Sequence, residues 1–212
     1  MKTPTKPSTA PKSPAMLFQN NFTSHWGQTP FLKSSLERTL PMTPQPDLPR
    51  IFSFAPVIDE NTRILILGTI PSPISLRMNQ YYGNPNNKFW PIIYDLFAQT
   101  PPVPDYAARC CFLLEQHLGL WDVFGSANRE GAADANIRDT TVNDFPTLLK
   151  SYPQIHRIIF NGRTAETHFI KAYPQICERI ECVCVMSTSP AYARKYEDKL
   201  QNWREAIFLY QK

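Results

Sequence analysis

Residues 63–67 read Arg-Ile-Leu-Ile-Leu, and the run stops on Gly68. Four consecutive apolar residues leave no polar face for water, so the segment fits a strand buried on both sides. Three more segments share this character: LGLWDV at 118–123, RIIF at 157–160 and CVCVM at 182–186. Helix-period stretches separate and follow them. NKFWPIIYDLFAQ places apolar residues at 89, 92, 93, 96 and 97, the spacing of one helical face. DYAARCCFLLEQ, PTLLKSY, GRTAETHFIKAY and EDKLQNWREAIFLYQ read as further helices. Strands alternating with helices predict an α/β three-layer sandwich, a short central parallel sheet flanked by helices. In such sheets ligands bind beyond the carboxyl ends of the strands. Here those ends carry GTIPS, WDVFGS, NGR and STSPA, so four polar loops should meet along one edge.

Composition divides the chain. Residues 1–50 hold six Lys/Arg against two Asp/Glu and nine of the 21 prolines; residues 51–212 balance at 16 of each charge. The first segment has too little apolar matter for a core and is predicted to be a basic, Pro-rich extension, at least partly disordered. Residues 51–212 form the folded domain. No apolar run approaches the roughly 18 residues of a membrane span, and no signal-peptide core follows the N-terminus. A soluble, cytoplasmic protein is expected, nucleoid-associated if bacterial. The five cysteines contain no C-x-x-C pair, which speaks against a metal or iron–sulfur site and for buried reduced thiols.

The segment after the first strand, GTIPSPISLRMNQYYGNPNNKFW (68–90), is too long and too aromatic for a simple reversal. LILGTIPSPISL…QYYGNPNNKFW resembles the first motif of the uracil-DNA glycosylase superfamily. It is nearest to the mismatch-type enzymes, whose stretch begins G-x-N-P-G and ends H-P-x-N-R-F-W at the same spacing. MSTSPAYA resembles the second motif, the loop that grips the DNA backbone. Together GTxPS, YYxxPxN, LWDV, FNG and STSPA resemble the hypoxanthine-DNA (deoxyinosine) glycosylase branch, over residues 52–210.

The resemblance implies hydrolysis of the N-glycosidic bond of a deaminated base in DNA, leaving an abasic site for base excision repair. Such chemistry needs a nucleotide turned out of the stack, read on its edge and stacked on an aromatic face. A positioned water and hydrogen bonds to the departing base are needed more than a strong nucleophile. No metal or cofactor is implied, and no lysine stands where Schiff-base lyase chemistry would need one. A monomer acting on damaged DNA, away from membranes, is the expectation.

Residue by residue, the resemblance makes Tyr82 the stacking face; the plainer reading is a tyrosine packed under the loop, which suits Tyr81 better. Ile70 lies in the base pocket where mismatch-type relatives place a water-activating Asn, and it cannot orient water. Asn87 is the expected substitute, and as an amide it should act at a modest rate; its plainer role is a helix cap. Asp122 can accept from N1–H of hypoxanthine, or be a loop or capping Asp. Asn161 either bonds the pocket loops or caps the next helix. Ser187, Thr188 and Ser189 offer donors to phosphates, and the same residues suit a helix N-terminus. Ala191 is too small for the wedge that some relatives insert into the duplex, so Tyr192 or Arg194 is left for that part. His117, His156 and His168 show no ligand spacing and read as surface or packing residues. Two alternatives stay open: a uracil-directed glycosylase, or a DNA-binding relative that Ile70 renders inactive.

Overall fold

The computed structural model of the chain describes residues 50–209, Ala132 excepted. It begins with β1 (Arg50–Phe52) and β2 (Ile64–Gly68), then helices α1 (Pro73–Met78), α2 (Phe89–Phe97) and α3 (Tyr106–Glu115). Strands β3 (Leu118–Asp122), β4 (Phe124–Arg129) and β5 (Ile137–Val142) precede α4 (Phe145–Ser151). The chain continues with β6 (Arg157–Asn161), α5 (Arg163–Ala172), β7 (Glu181–Val185) and α6 (Tyr196–Arg204).

The centre is the expected parallel sheet, in the order β3-β2-β6-β7. Strict alternation explains why its strands read as apolar throughout. Ile64, Ile66, Leu118, Leu120 and Ile159 face a core closed by Trp90 and Ile93 of α2, Leu113 of α3 and Trp203 of α6. Leu65, Leu67, Ile158 and Phe160 face the opposite core, closed by Phe145 and Leu148 of α4 and Phe169 of α5. Each such side chain contributes about 1.5–3 kcal/mol when fully buried.

Three features depart from the sequence reading. A second sheet, antiparallel in the order β1-β4-β5, stands beside the first. Its strands are polar and short, and part of their cohesion is side-chain bonding: the Arg50 guanidinium donates to Ser126 Oγ at 2.7 Å and Thr141 Oγ1 at 2.8 Å. Arg50 pairs with Asn128, so it belongs to the folded domain and not to the extension; residues 1–49 lie outside the described residues. The cysteines also differ from five buried thiols. Cys177 and Cys182 are disulfide-bonded, the tight turn between them holding their Cα atoms 5.5 Å apart, within bridging range. Cys111 is exposed and Cys110 and Cys184 are half-buried. No helix among the described residues is long and apolar enough to cross a membrane.

At the amino end of the sheet Arg157 ties β6, β7 and the helical turn after α6 together. Its Nε donates to Glu181 Oε2 at 2.7 Å, and one terminal nitrogen donates to the Ala206 and Ile207 carbonyls. Replacing a buried ion-pair partner leaves the other charge uncompensated. Arg157→Ala should therefore cost about 3–5 kcal/mol of stability, read as a lowered denaturation midpoint; a loss under about 1 kcal/mol would show the clamp to be dispensable.

Candidate active site

The carboxyl ends of the four parallel strands enclose a cavity of about 630 Å³. From the loop after β2 come Ile70, Tyr82 and Asn87; from the ends of β3 and β6 come Asp122 and Asn161. Ser187, Thr188 and Ser189, after β7, complete the rim. Every site residue picked from the sequence therefore lines one space. Their individual geometry sorts them further.

Asp122 ends β3 opposite Gly68 of β2 and is only 4% exposed. Ser53 donates its hydroxyl to Oδ2 at 2.8 Å, and the Asn143 side chain donates to the Asp122 carbonyl at 2.8 Å. The residue after next begins β4, so Asp122 caps no helix. Gly68 makes this placement possible: a Cβ there would lie 2.5 Å from Asp122 Oδ1. The two strand ends are zipped further by bonds from the Val123 and Phe124 N–H groups to the Gly68 and Thr69 carbonyls, at 2.8 and 3.0 Å.

The long loop is more ordered than its composition suggests. Ser72 caps α1, its side chain accepting from the Ser75 N–H, with Pro73 in the first turn. Tyr81 is the tyrosine packed under the loop, its hydroxyl donating to the Phe54 carbonyl at 3.2 Å. Tyr82 lines the cavity with φ of 53°, a left-handed conformation that a bulky residue adopts only under constraint. That constraint is a stack on Phe89, centroids 4.0 Å apart and planes 21° from parallel. Burial raises the Tyr82 phenol above its ordinary pKa, an interaction with the Asn161 side chain offsets part of the rise, and the Asp122 charge adds to it. The hydroxyl thus stays protonated.

Asn87 lines the cavity and also makes a bond at the start of α2. Its Oδ1 accepts from the Phe89 N–H at 2.9 Å, turning the chain into α2, whose formal cap is Lys88 without a side-chain bond. The carbonyl end being engaged, the Nδ2 end is the one left for a bound molecule. Ile70 is a buried, apolar wall. Cys184 also lines the cavity, but burial pushes its thiol up to about 11, which keeps it protonated and poorly nucleophilic.

The loop after β7 differs from expectation in two respects. Thr188 is fully buried, and its hydroxyl and N–H are both bound by the Asn161 amide, each at 2.8 Å. Its side chain therefore faces the sheet, and Asn161 acts on it as a clamp. Ser187 and Ser189 keep partly exposed hydroxyls, whose oxygens accept from the N–H two residues on and whose protons stay free to donate. The loop is no helix cap: α6 opens at Tyr196, with Lys195 at its N-cap and no side-chain bond.

Two residues that brace the pocket were not legible in the sequence. Ser53 precedes every motif, and Arg129 sits at the end of the unforeseen β4. The Arg129 guanidinium is buried and donates to the carbonyls of Pro71, at 2.6 Å, and Gly131, at 3.1 Å, fixing the back of the long loop. Among the described residues no group of three or more His, Cys, Asp or Glu is placed to hold a metal ion.

The model of the uracil DNA glycosylase superfamily matches residues 55–210. The chain belongs to that superfamily. A hypoxanthine DNA glycosylase of Methanosarcina barkeri (strain Fusaro / DSM 804) is 36% identical over 156 residues, 73% of this chain and 96% of the relative. A second protein of that name, from Methanosarcina acetivorans, is 44% identical over 112 residues, 53% of this chain and 71% of the relative. The fold is similar to the solution structure of a candidate uracil DNA glycosylase from M. acetivorans, with a TM-score of 0.65 at 34% identity, covering 74% of this chain and 96% of that one.

The tight contact at Gly68 predicts a selective defect. Gly68→Ala should push the Asp122 carboxylate from its place and lower base excision by at least about a hundredfold, the scale of one misplaced catalytic group. The melting temperature should fall far less than that loss implies. Wild-type excision rates would show that Asp122 can give way harmlessly.

Proposed function

We propose that the protein is a monofunctional DNA glycosylase that releases hypoxanthine from deoxyinosine by hydrolysis, leaving an abasic site for base excision repair. The observation that carries the reading is the buried Asp122 carboxylate, held by Ser53 and set in one cavity with Tyr82 and Asn87. The names of the two Methanosarcina relatives support it.

In this reading the nucleotide leaves the duplex and its base lies against the Tyr82 ring, whose other side rests on Phe89. Hypoxanthine presents N1–H, a donor that the Asp122 carboxylate accepts. Adenine presents a bare N1 lone pair, which the carboxylate repels, so the normal base is refused. As the C1′–N9 bond breaks, its electron pair goes to the base and the sugar gains oxocarbenium character. The Asn87 Nδ2 group donates to the departing base or to the incoming water, and water attacks C1′. Ser187 and Ser189 hold the phosphates while Asn161 fixes the loop through Thr188. The enzyme works as a monomer on damaged DNA in the cytoplasm, and needs neither metal nor cofactor.

The direct test is single-turnover excision from oligonucleotides carrying inosine, uracil or xanthine, with and without chelator. Hypoxanthine should leave fastest, and chelator should not slow it. Faster uracil release would assign the enzyme to uracil, and no release of any base would make it a DNA-binding relative.

Asn87 gives a second test, because its two ends do different things. Asn87→Ala should slow excision by roughly a hundredfold, as loss of one preorganised donor does, and cost about 1 kcal/mol through the lost cap. Asn87→Asp keeps the capping oxygen and removes the donor. It should retain the melting temperature and still lose most of the rate. Full activity in Asn87→Asp would mean that the oxygen is the catalytic end.

A further inference from the structure

Lys199 of α6 is only 3% exposed, yet neither of the two ion pairs among the described residues includes it. Lysine is almost never buried this deeply without an acidic partner, because taking an ammonium out of water is costly. What it does touch is the phosphate-facing loop: Nζ donates to the Ser189 carbonyl at 3.2 Å and lies 5.4 Å from the Tyr192 ring centroid. A second lysine converges on the same loop. Lys88 holds the Thr188 carbonyl through its backbone N–H at 3.0 Å, and its exposed side chain also lacks an acidic partner among the described residues. Burial lowers the Lys199 pKa, and repulsion from the Lys88 charge lowers it further. Two lysines without an acidic partner among the described residues, both tied to the loop that carries Ser187 and Ser189, are poorly placed for the free protein and well placed for an anion.

We propose that Lys199 and Lys88, together with the Ser187 and Ser189 hydroxyls, form the site for the DNA phosphate beside the extracted nucleotide. The proposal rests on the DNA-glycosylase reading and adds to it the residues that supply the charge. Lys199 is a positioning residue that holds the loop by its Ser189 contact and puts positive charge directly behind it. Lys88 brings the second charge from the start of α2, next to Asn87, so that phosphate capture and the polar group near the sugar share one element. Bound phosphate supplies the counter-charge that Lys199 lacks.

The test uses the full-length chain and a duplex carrying a tetrahydrofuran abasic analogue, so binding is read without any base. Lys199→Met keeps the aliphatic stem and removes the charge. Its melting temperature should equal or exceed that of the wild type, since a buried unpaired charge is gone. Its affinity should fall roughly tenfold, the scale of losing one partly desolvated charge close to the phosphate, and the slope of log affinity against log salt should shrink by about one. Lys199→Arg should keep most of the affinity, Lys88→Met should weaken binding in the same sense, and in turnover the Lys199→Met defect should fall on KM more than on kcat. A methylphosphonate at one of the two phosphates flanking the lesion should weaken the wild type and erase the difference from Lys199→Met. Inorganic phosphate should displace the duplex no better than chloride at equal ionic strength. Wild-type affinity and salt slope in Lys199→Met, a defect that persists on both neutral linkages, or specific displacement by inorganic phosphate would each overturn the proposal. Failure of the wild type to release hypoxanthine would overturn the proposed activity and leave this site standing.

Discussion

Gly68 and Asp122 lie side by side at the ends of β2 and β3, and the pocket depends on the absence of a side chain at the first of them. The adjacent backbone bonds, Val123 to Gly68 and Phe124 to Thr69, prevent the strand ends from separating to admit one. The carboxylate is consequently held in a buried place that it would not choose alone, stabilised by the Ser53 hydroxyl. In so dry a setting a hydrogen bond to the carboxylate is stronger than in water, and an unmatched ligand group is penalised more. In the proposed function one glycine would therefore bear on selectivity through the carboxylate beside it.

The loop after β7 extends the same logic to the other wall. Asn202 accepts from the Met186 N–H, Trp203 donates to the Met186 carbonyl, and Asn161 takes both the N–H and hydroxyl of Thr188. Lys88 and Lys199 take the carbonyls of Thr188 and Ser189. Restraint thus arrives from α2, β6 and α6 at once. A loop fixed in this way need not be ordered when DNA arrives, which conserves binding free energy for extracting the nucleotide.

How much of this was legible from the residues follows from the range of the forces involved. The parallel sheet was readable because strands buried on both faces must be apolar throughout, and RILIL and RIIF are. Tyr82, Asn87 and Asp122 could be singled out because the motifs that carry the family resemblance fix their positions, and the structure brings the three to one cavity. The antiparallel sheet was hidden: FGSANR and IRDTTV carry little apolar signal, and Arg50, distant in sequence, holds them together through Ser126 and Thr141. Ser53 and Arg129 were hidden for a similar reason, since each acts on a pocket residue more than 50 positions away. The inward turn of Thr188 depends on the Asn161 amide, a pairing that local sequence does not announce.

Ile70 shows how the two walls divide the labour. An amide or carboxylate at that position would orient water but would also bring solvent and a competing polar group beside Asp122. Isoleucine gives an apolar wall instead, buried to 8% exposure, which in the proposed reaction would favour recognition over water activation. The proposed reaction would tolerate the exchange, because departure of the base creates most of the positive charge at the sugar and a weakly activated water would suffice to capture it. A donor such as Asn87 Nδ2 then assists most by meeting charge on the leaving base, where one preorganised bond has its largest effect. In the proposed reaction the rate would then follow how well the base is held as it departs, and the apolar wall that weakens water activation would improve that hold.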